Sequence, residues 1–154
     1  MSASPLAPQI TETLQRHVVA GAVAAALPFP WLGFVGLTGV QLHLLRQLSA
    51  LYGVPFSQEI ARSAIAALVG SDLSLGLSLG LAKLVAGPTL LFAAASGGLL
   101  GAASTYALGK VFALHFASGQ TFLTFDPEKV RAHYEELFQA VPTPEGGSFA
   151  GIRP

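Results

Sequence analysis

Apolar residues recur along this chain at helical spacing, and no segment alternates in the way a half-buried strand does. Glycine, proline and N-capping residues separate the apolar segments and predict where each helix ends. The pattern predicts six helices: from between Pro8 and Thr11 to about Leu27, from Trp31 or Leu32 to Tyr52, from Ser57 to about Val69, from Leu73 to Ala86, from Pro88 to about Ala117, and about 127–141. We therefore expect an all-α fold.

Proline placement predicts a hairpin in the first apolar region. Pro28 and Pro30 interrupt that region, and proline both removes a helix hydrogen bond and clashes with the preceding turn. Each half is then short for a straight membrane span. A helical hairpin that dips into a bilayer, or packs inside the protein, fits better, with Pro28 and Pro30 shaping its turn.

The last predicted helix has the pattern of a soluble amphipathic helix. Asp126 is a suitable N-cap, and Pro127 occupies the first helical position. One face is apolar and the other carries charges; the apolar members are Val130, Tyr134, Leu137, Phe138 and Val141. We expect a single helical domain over residues 1–141, with an apolar body at about 17–118 and a flexible tail at 142–154.

Charged residues are almost absent from two long stretches. Val18 to Leu45 contains none, and Ser63 to Phe125 contains only Asp72, Lys83 and Lys110. A transmembrane helix needs roughly 20 mainly apolar residues. The fifth predicted helix meets that length and is the best single candidate for a membrane span.

Composition supports a membrane-associated or tightly oligomeric protein. Hydrophobic residues make up 52% of the 154 residues, charged residues only 10%, and mean hydropathy is +0.60. This excludes an intrinsically disordered chain. The formal net charge of zero removes the electrostatic argument for nucleic-acid binding. There is no cysteine, and therefore no disulfide and no thiolate site.

Small residues recur every four positions in the fifth predicted helix and, more briefly, in the fourth. Such a face lets helix backbones approach closely, which replaces the hydrophobic driving force that is missing in lipid. The simpler explanation is that alanine and glycine are common in this chain. We expect a packing interface, within or between chains, at Gly76, Gly80, Gly97, Gly101, Thr105 and Gly109.

Isolated polar residues offer a second candidate site. Gln41 and His43 flank one turn of an apolar helix and could line a polar path together with Asp72. Asp72 is better explained as the N-cap of a helix, and interhelical hydrogen bonding is the simpler explanation for Gln41 and His43. No two histidines have the spacing of a helical zinc motif. We expect no metal, no cofactor and no catalytic residues.

Several blocks of this sequence match one bacterial family: His17 to Ala26, Leu27 to Pro30, Val40 to Leu42, Leu51 to Val54, Ala102 to Lys110, and His115-Phe116. Together they resemble the YcjF-like domain of unknown function over about residues 15–120. That domain is found behind some Ras-like GTPase modules, so the resemblance implies a helical membrane-associated domain and a Ras-like GTPase as a possible partner. It brings no catalytic residues. The family often has an aspartate soon after the proline pair, where this chain has Trp31 to Phe34.

These observations lead to one principal functional hypothesis and two alternatives. We expect a non-enzymatic protein of the bacterial inner membrane that binds lipid, self-assembles, and serves as an anchor, scaffold or membrane-remodelling component. The first alternative is an oligomeric channel or transport component. The second is a soluble helical domain that binds an apolar ligand or buries its helices in an oligomer.

Overall fold

The computed structural model describes residues 6–26, 30–70 and 90–140, and within them every regular element is helical. The expected all-α class is confirmed for these residues. The elements are α1 (Ala7–Ala25), α2 (Pro30–Tyr52), α3 (58–70), α4 (Leu90–Ala117), a single 3₁₀ turn (Phe122–Thr124) and α5 (Pro127–Gln139). The predicted helix at Leu73 to Ala86 lies outside the described residues.

Local chemistry sets the helix ends. After α2, Gly53 adopts φ 67°, a left-handed conformation that glycine tolerates well, and the Val54 amide donates back to the Ser49 carbonyl at 2.8 Å. Before α5, the Asp126 carboxylate accepts a hydrogen bond from the Glu128 amide at 3.1 Å. Both helix ends therefore carry residue types that favour the end of a helix, a glycine after the last turn of α2 and an aspartate before the first turn of α5.

α1, α2 and α4 form a three-helix body. A Cβ placed on Gly109 of α4 would touch Leu14 of α1 and Leu44 of α2, so these three positions share one level of the body. Near the other end of α1, Gly33 of α2 approaches the Ala24 carbonyl. α2 and α4 therefore both run antiparallel to α1.

α3, the 3₁₀ turn and α5 close the body at the end where α2 and α4 finish. Their buried side chains join those of α2 and α4 in one hydrophobic core, with Tyr134 of α5 only 1% exposed. Phe112 of α4 stacks on Phe125 at 4.3 Å between ring centroids. Arg131 of α5 donates to the Ala67 carbonyl of α3 at 2.9 Å, which ties these two helices together.

Glycine permits a close helix contact between α1 and α4. A Cβ on Gly101 would overlap the Gly21 carbonyl oxygen and the Ala25 side chain, and one on Gly97 would lie 2.6 Å from the Ala25 carbonyl oxygen. Real Cβ atoms do not tolerate such distances from backbone atoms. The small-residue face of α4 therefore packs against α1 of the same chain.

Within residues 6–26, 30–70 and 90–140, none of the helices combines the length and the apolar character needed to cross a membrane. The membrane span expected in the Pro88 to Ala117 region is not supported by these residues.

Replacing Gly101 with alanine tests the contact between α1 and α4. Because the new methyl group would overlap backbone and side-chain atoms of α1, we expect Gly101→Ala to lower the free energy of unfolding by about 1–3 kcal/mol in urea titrations followed by circular dichroism. The matched control is Gly39→Ala on the outer face of α2, where a Cβ meets nothing within 4 Å. Alanine favours helix over glycine, so the control should gain up to about 1 kcal/mol. Equal stability of the two variants would contradict the close contact.

Candidate functional site

One end of the three-helix body exposes large apolar side chains. We call residues 18–26 of α1, 30–40 of α2 and 97–103 of α4 the apolar end; none of them is charged. Seven large apolar side chains are exposed in the part of the chain that the structure describes, and five of them lie here: Val19, Val23, Leu32, Phe34 and Val35. Scattered exposed apolar residues are ordinary, but five at one uncharged end form a candidate interaction surface.

Where α1 meets α4, the interior of the apolar end is made of small residues, whereas α2 contributes the buried Leu37. The buried positions along α1 are Leu14, His17 and Gly21, whereas Val19 and Val23 face outward with 64% and 63% of their surface exposed. Gly98 of α4 is buried against the Ala22 carbonyl. On α1, small residues thus point toward α4 and large apolar residues point outward, the reverse of the usual arrangement in water.

A layer of buried polar side chains lies where the apolar end stops. Gln41 Nε2 donates to Ser104 Oγ at 3.1 Å, and Ser104 Oγ donates to the Gly101 carbonyl at 3.1 Å. Gln41, Ser104 and Thr105 are each at most 2% exposed. Gln41 Oε1 and Thr105 Oγ1 have no hydrogen-bond partner, which is costly for buried polar atoms.

Two histidines link α1 and α2 near the same layer. The rings of His17 and His43 stack at 5.3 Å between centroids, and His17 Nδ1 donates to the Thr13 carbonyl at 2.7 Å. Burial lowers the pKa of His17 below 6.5; nearby His43 and Arg16 lower it further, while the hydrogen bond to Thr13 opposes the shift. His17 is therefore held in its neutral form more strongly than an exposed histidine.

Each helix of the body carries a basic residue close to the level that follows the apolar end. Leu14, Leu44 and Gly109 mark this level, and Arg16, Arg46 and Lys110 each lie within two residues of one of them along the chain. The Arg16 and Arg46 side chains are exposed, and Lys110 Nζ lies 5.8 Å from the centroid of the Tyr106 ring. We call Arg16, Arg46 and Lys110 the basic collar.

An open cleft of about 430 Å³ lies at the opposite end of the body, where α1 begins. Its lining is mainly apolar and includes Leu6, Ile10, Tyr52 and Phe116. Burial raises the pKa of Tyr52. Among the described residues, no three histidine, aspartate or glutamate side chains come together as metal ligands.

The structure brings together some of the candidate residues taken from the sequence. Gly97, Gly101 and Gly109 face α1, and Thr105 adjoins Gly21 of α1. Gln41 lies in the same buried layer as Thr105, whereas His43 is at the surface. Pro30 is the first residue of α2. The remaining candidates, Pro28, Asp72, Gly76 and Gly80, lie outside the described residues.

Three features escaped the sequence reasoning: the role of Gly21, the hydrogen bond from Gln41 to Ser104, and the basic collar. The first had a usable signal, since His17, Gly21 and Ala25 follow one another at four-residue spacing on one face of α1. The hydrogen bond and the basic collar had no such signal in the sequence, because both depend on which residues of separate helices lie at the same height along the body.

Comparisons with known proteins place this chain in a family context. Residues 4–142 match the family described as "Domain of unknown function (DUF697)". The chain is 31% identical over 135 residues to "Magnetosome membrane protein 22" from Magnetospirillum gryphiswaldense, a match that covers 84% of this chain and 69% of that protein. No solved structure matches.

Paired substitutions at adjacent positions test the buried polar layer. Ser104→Ala removes the acceptor of Gln41 Nε2 and leaves that buried donor unpaired, so we expect the free energy of unfolding to fall by about 1–3 kcal/mol. Thr105→Val removes a hydroxyl that has no partner and keeps the side-chain shape, so stability should stay equal or rise. A Thr105→Val variant destabilised as much as Ser104→Ala would mean that the Thr105 hydroxyl has a partner.

The lowered pKa of His17 predicts a pH-dependent stability. The unfolded chain binds a proton at His17 more readily than the folded chain does. The folded state is therefore most favoured above pH 6.5 and loses stability as the pH falls from 6.5 through the lowered pKa. In urea titrations between about pH 8 and about pH 5, His17→Gln should lose less stability than the unsubstituted protein. The exposed His133 of α5 provides the control, because His133→Gln should keep the full difference.

Proposed function

This chain belongs to the DUF697 family, and we propose that it is a non-enzymatic anchor that inserts its apolar end into one leaflet of a membrane. The observation that carries the proposal is the reversed packing of α1 at that end, with glycine and alanine against α4 and Val19 and Val23 outside, together with the exposed Phe34 of α2. Small residues between helices and large apolar residues facing outward are typical of helices packed in lipid.

The dimensions of the apolar end suit insertion to the depth of one leaflet. From Arg16, the last charged residue before the apolar end, to Ala25, α1 rises about 14 Å at 1.5 Å per residue. The hydrocarbon core of a bilayer is about 30 Å thick, so this length corresponds to about half of it. Insertion of a hairpin end needs no helix that crosses the bilayer.

The relative supports a membrane location. Its name describes a membrane protein, and the shared region includes most of this chain. In our proposal the inserted apolar end leaves α3 and α5 outside the lipid, where their charged faces are available to another protein. That partner is a second copy of this chain or the Ras-like GTPase implied by the resemblance to YcjF-like domains, at the bacterial inner membrane.

The buried polar layer favours a second candidate function, a component of an oligomeric channel. Gln41 Oε1 and Thr105 Oγ1 are buried without partners, as polar groups lining a hydrated path would be in the absence of water. His43 would lie at the mouth of that path, since its side chain is exposed. Ion flux through protein-containing liposomes no greater than through empty ones would exclude this function.

Vesicle flotation tests the anchor proposal. Phe34→Asp places a charge on the apolar end, where the side chain is 45% exposed and its loss should leave folding intact. Burial of one large apolar side chain contributes about 1.5–3 kcal/mol, so we expect affinity for phosphatidylcholine vesicles to fall at least about tenfold.

The matched control is Leu123→Asp in the 3₁₀ turn, where the leucine is 85% exposed and belongs to the opposite end of the body. This variant should bind vesicles like the unsubstituted protein. Failure of the unsubstituted protein to float with vesicles, or equal loss in both variants, would overturn the proposal.

A further inference from the structure

We infer that the basic collar, formed by Arg16, Arg46 and Lys110, binds the phosphate groups of anionic lipids when the apolar end is inserted. This inference rests on the proposed anchor function and adds the headgroup chemistry that the anchor prefers. The ligand that we propose for the basic collar is the surface of a lipid bilayer. Binding of a protein partner instead would give a different result in the experiment below.

The position of the collar follows from the packing of α1, α2 and α4. A Cβ on Gly109 would meet both Leu14 and Leu44, which fixes one common level on the three helices. Each collar residue is one or two positions away from that level, so all three cations lie within about one helical turn. They come from three different helices, α1, α2 and α4.

The collar has the correct depth relative to the apolar end. On all three helices, no charged residue lies between the collar and the described part of the apolar end. An uncharged segment of about 14 Å is close to the depth of one leaflet of hydrocarbon, and the next layer outward is that of the headgroups. The three cations therefore meet phosphate at the depth where the apolar segment ends.

The charged residues of α1, α2 and α4 are mostly basic. The described residues of α1, α2 and α4 include a single acid, Glu12, which pairs with Arg16 at 2.6 Å. Both of these side chains are largely exposed, with 64% and 76% of their surface accessible, so the ion pair is weak and exchanges readily for a lipid phosphate. The other described acids belong to α3, α5 and the residue preceding α5.

The surroundings of Lys110 fit an interfacial position. Its ammonium lies 5.8 Å from the centroid of the Tyr106 ring, one turn nearer the apolar end. Tyrosine is enriched at membrane interfaces, where its ring meets the acyl region and its hydroxyl meets water. A lysine stem that follows apolar surface with its charge at the headgroups is the usual arrangement there.

Vesicle binding at two lipid compositions tests the collar. Each basic residue near an anionic surface strengthens binding about fivefold, so the double variant Arg16→Gln/Arg46→Gln should bind vesicles of equal phosphatidylglycerol and phosphatidylcholine about 25-fold more weakly. Adding Lys110→Gln should weaken binding about fivefold further. Binding to pure phosphatidylcholine should stay unchanged, and high salt should remove the preference for anionic vesicles.

The matched control removes two positive charges elsewhere. Arg62 of α3 and Lys129 of α5 are exposed, and Arg62→Gln/Lys129→Gln should keep the full preference for anionic vesicles. Equal loss in the control pair would overturn the collar, because net charge alone would then explain the preference.

The remaining outcomes separate the two proposals. If the unsubstituted protein binds both compositions equally at low salt, the collar is wrong and the anchor stands. If it binds neither, the anchor proposal fails as well. If the Arg16→Gln/Arg46→Gln pair leaves vesicle binding unchanged but alters oligomer size in light scattering, the collar binds a second copy of the chain and not lipid.

Discussion

The close approach of α1 and α4 is the contact on which the rest of this structure depends. Gly101 lies so near the Gly21 carbonyl that no side chain fits between the two backbones. Because this contact needs no large residues, the apolar side chains of α1 are free to face outward, as Val19 and Val23 do. The exposed apolar surface is thus a consequence of how the interior is packed.

The two ends of the molecule are stabilised by different interactions. Around Phe112 and Tyr134, large rings and leucines fill a core of the kind found in soluble domains. At the apolar end the contact between α1 and α4 consists of glycine and alanine, which bury little apolar area for each residue. In water, the end around Phe112 and Tyr134 is therefore well stabilised and the apolar end is poorly stabilised. The second end would gain from an environment that covers its outer surface.

Sequence patterns predicted the helices well because each helix end depends on nearby residues. Gly53 and Asp126 each act within their own turn of backbone, so their roles follow from spacing alone. The small-residue face of α4 was also predictable, but its partner was not, because contacts within and between chains have the same spacing. The hydrogen bond from Gln41 to Ser104 spans 63 positions and depends on the register of α2 against α4.

The buried polar layer gives a physical reason for the register of α2 against α4. Glycine faces are smooth, so a contact such as that between α1 and α4 does not by itself determine how far one helix slides along another. The hydrogen bond from Gln41 to Ser104 is directional, and a shift by one turn would leave another buried polar atom without a partner. Polar residues inside helical assemblies specify register in this way at some cost in stability. Gln41 thus contributes to the register of α2 against α4, and with it to the common level of Arg46 and Lys110.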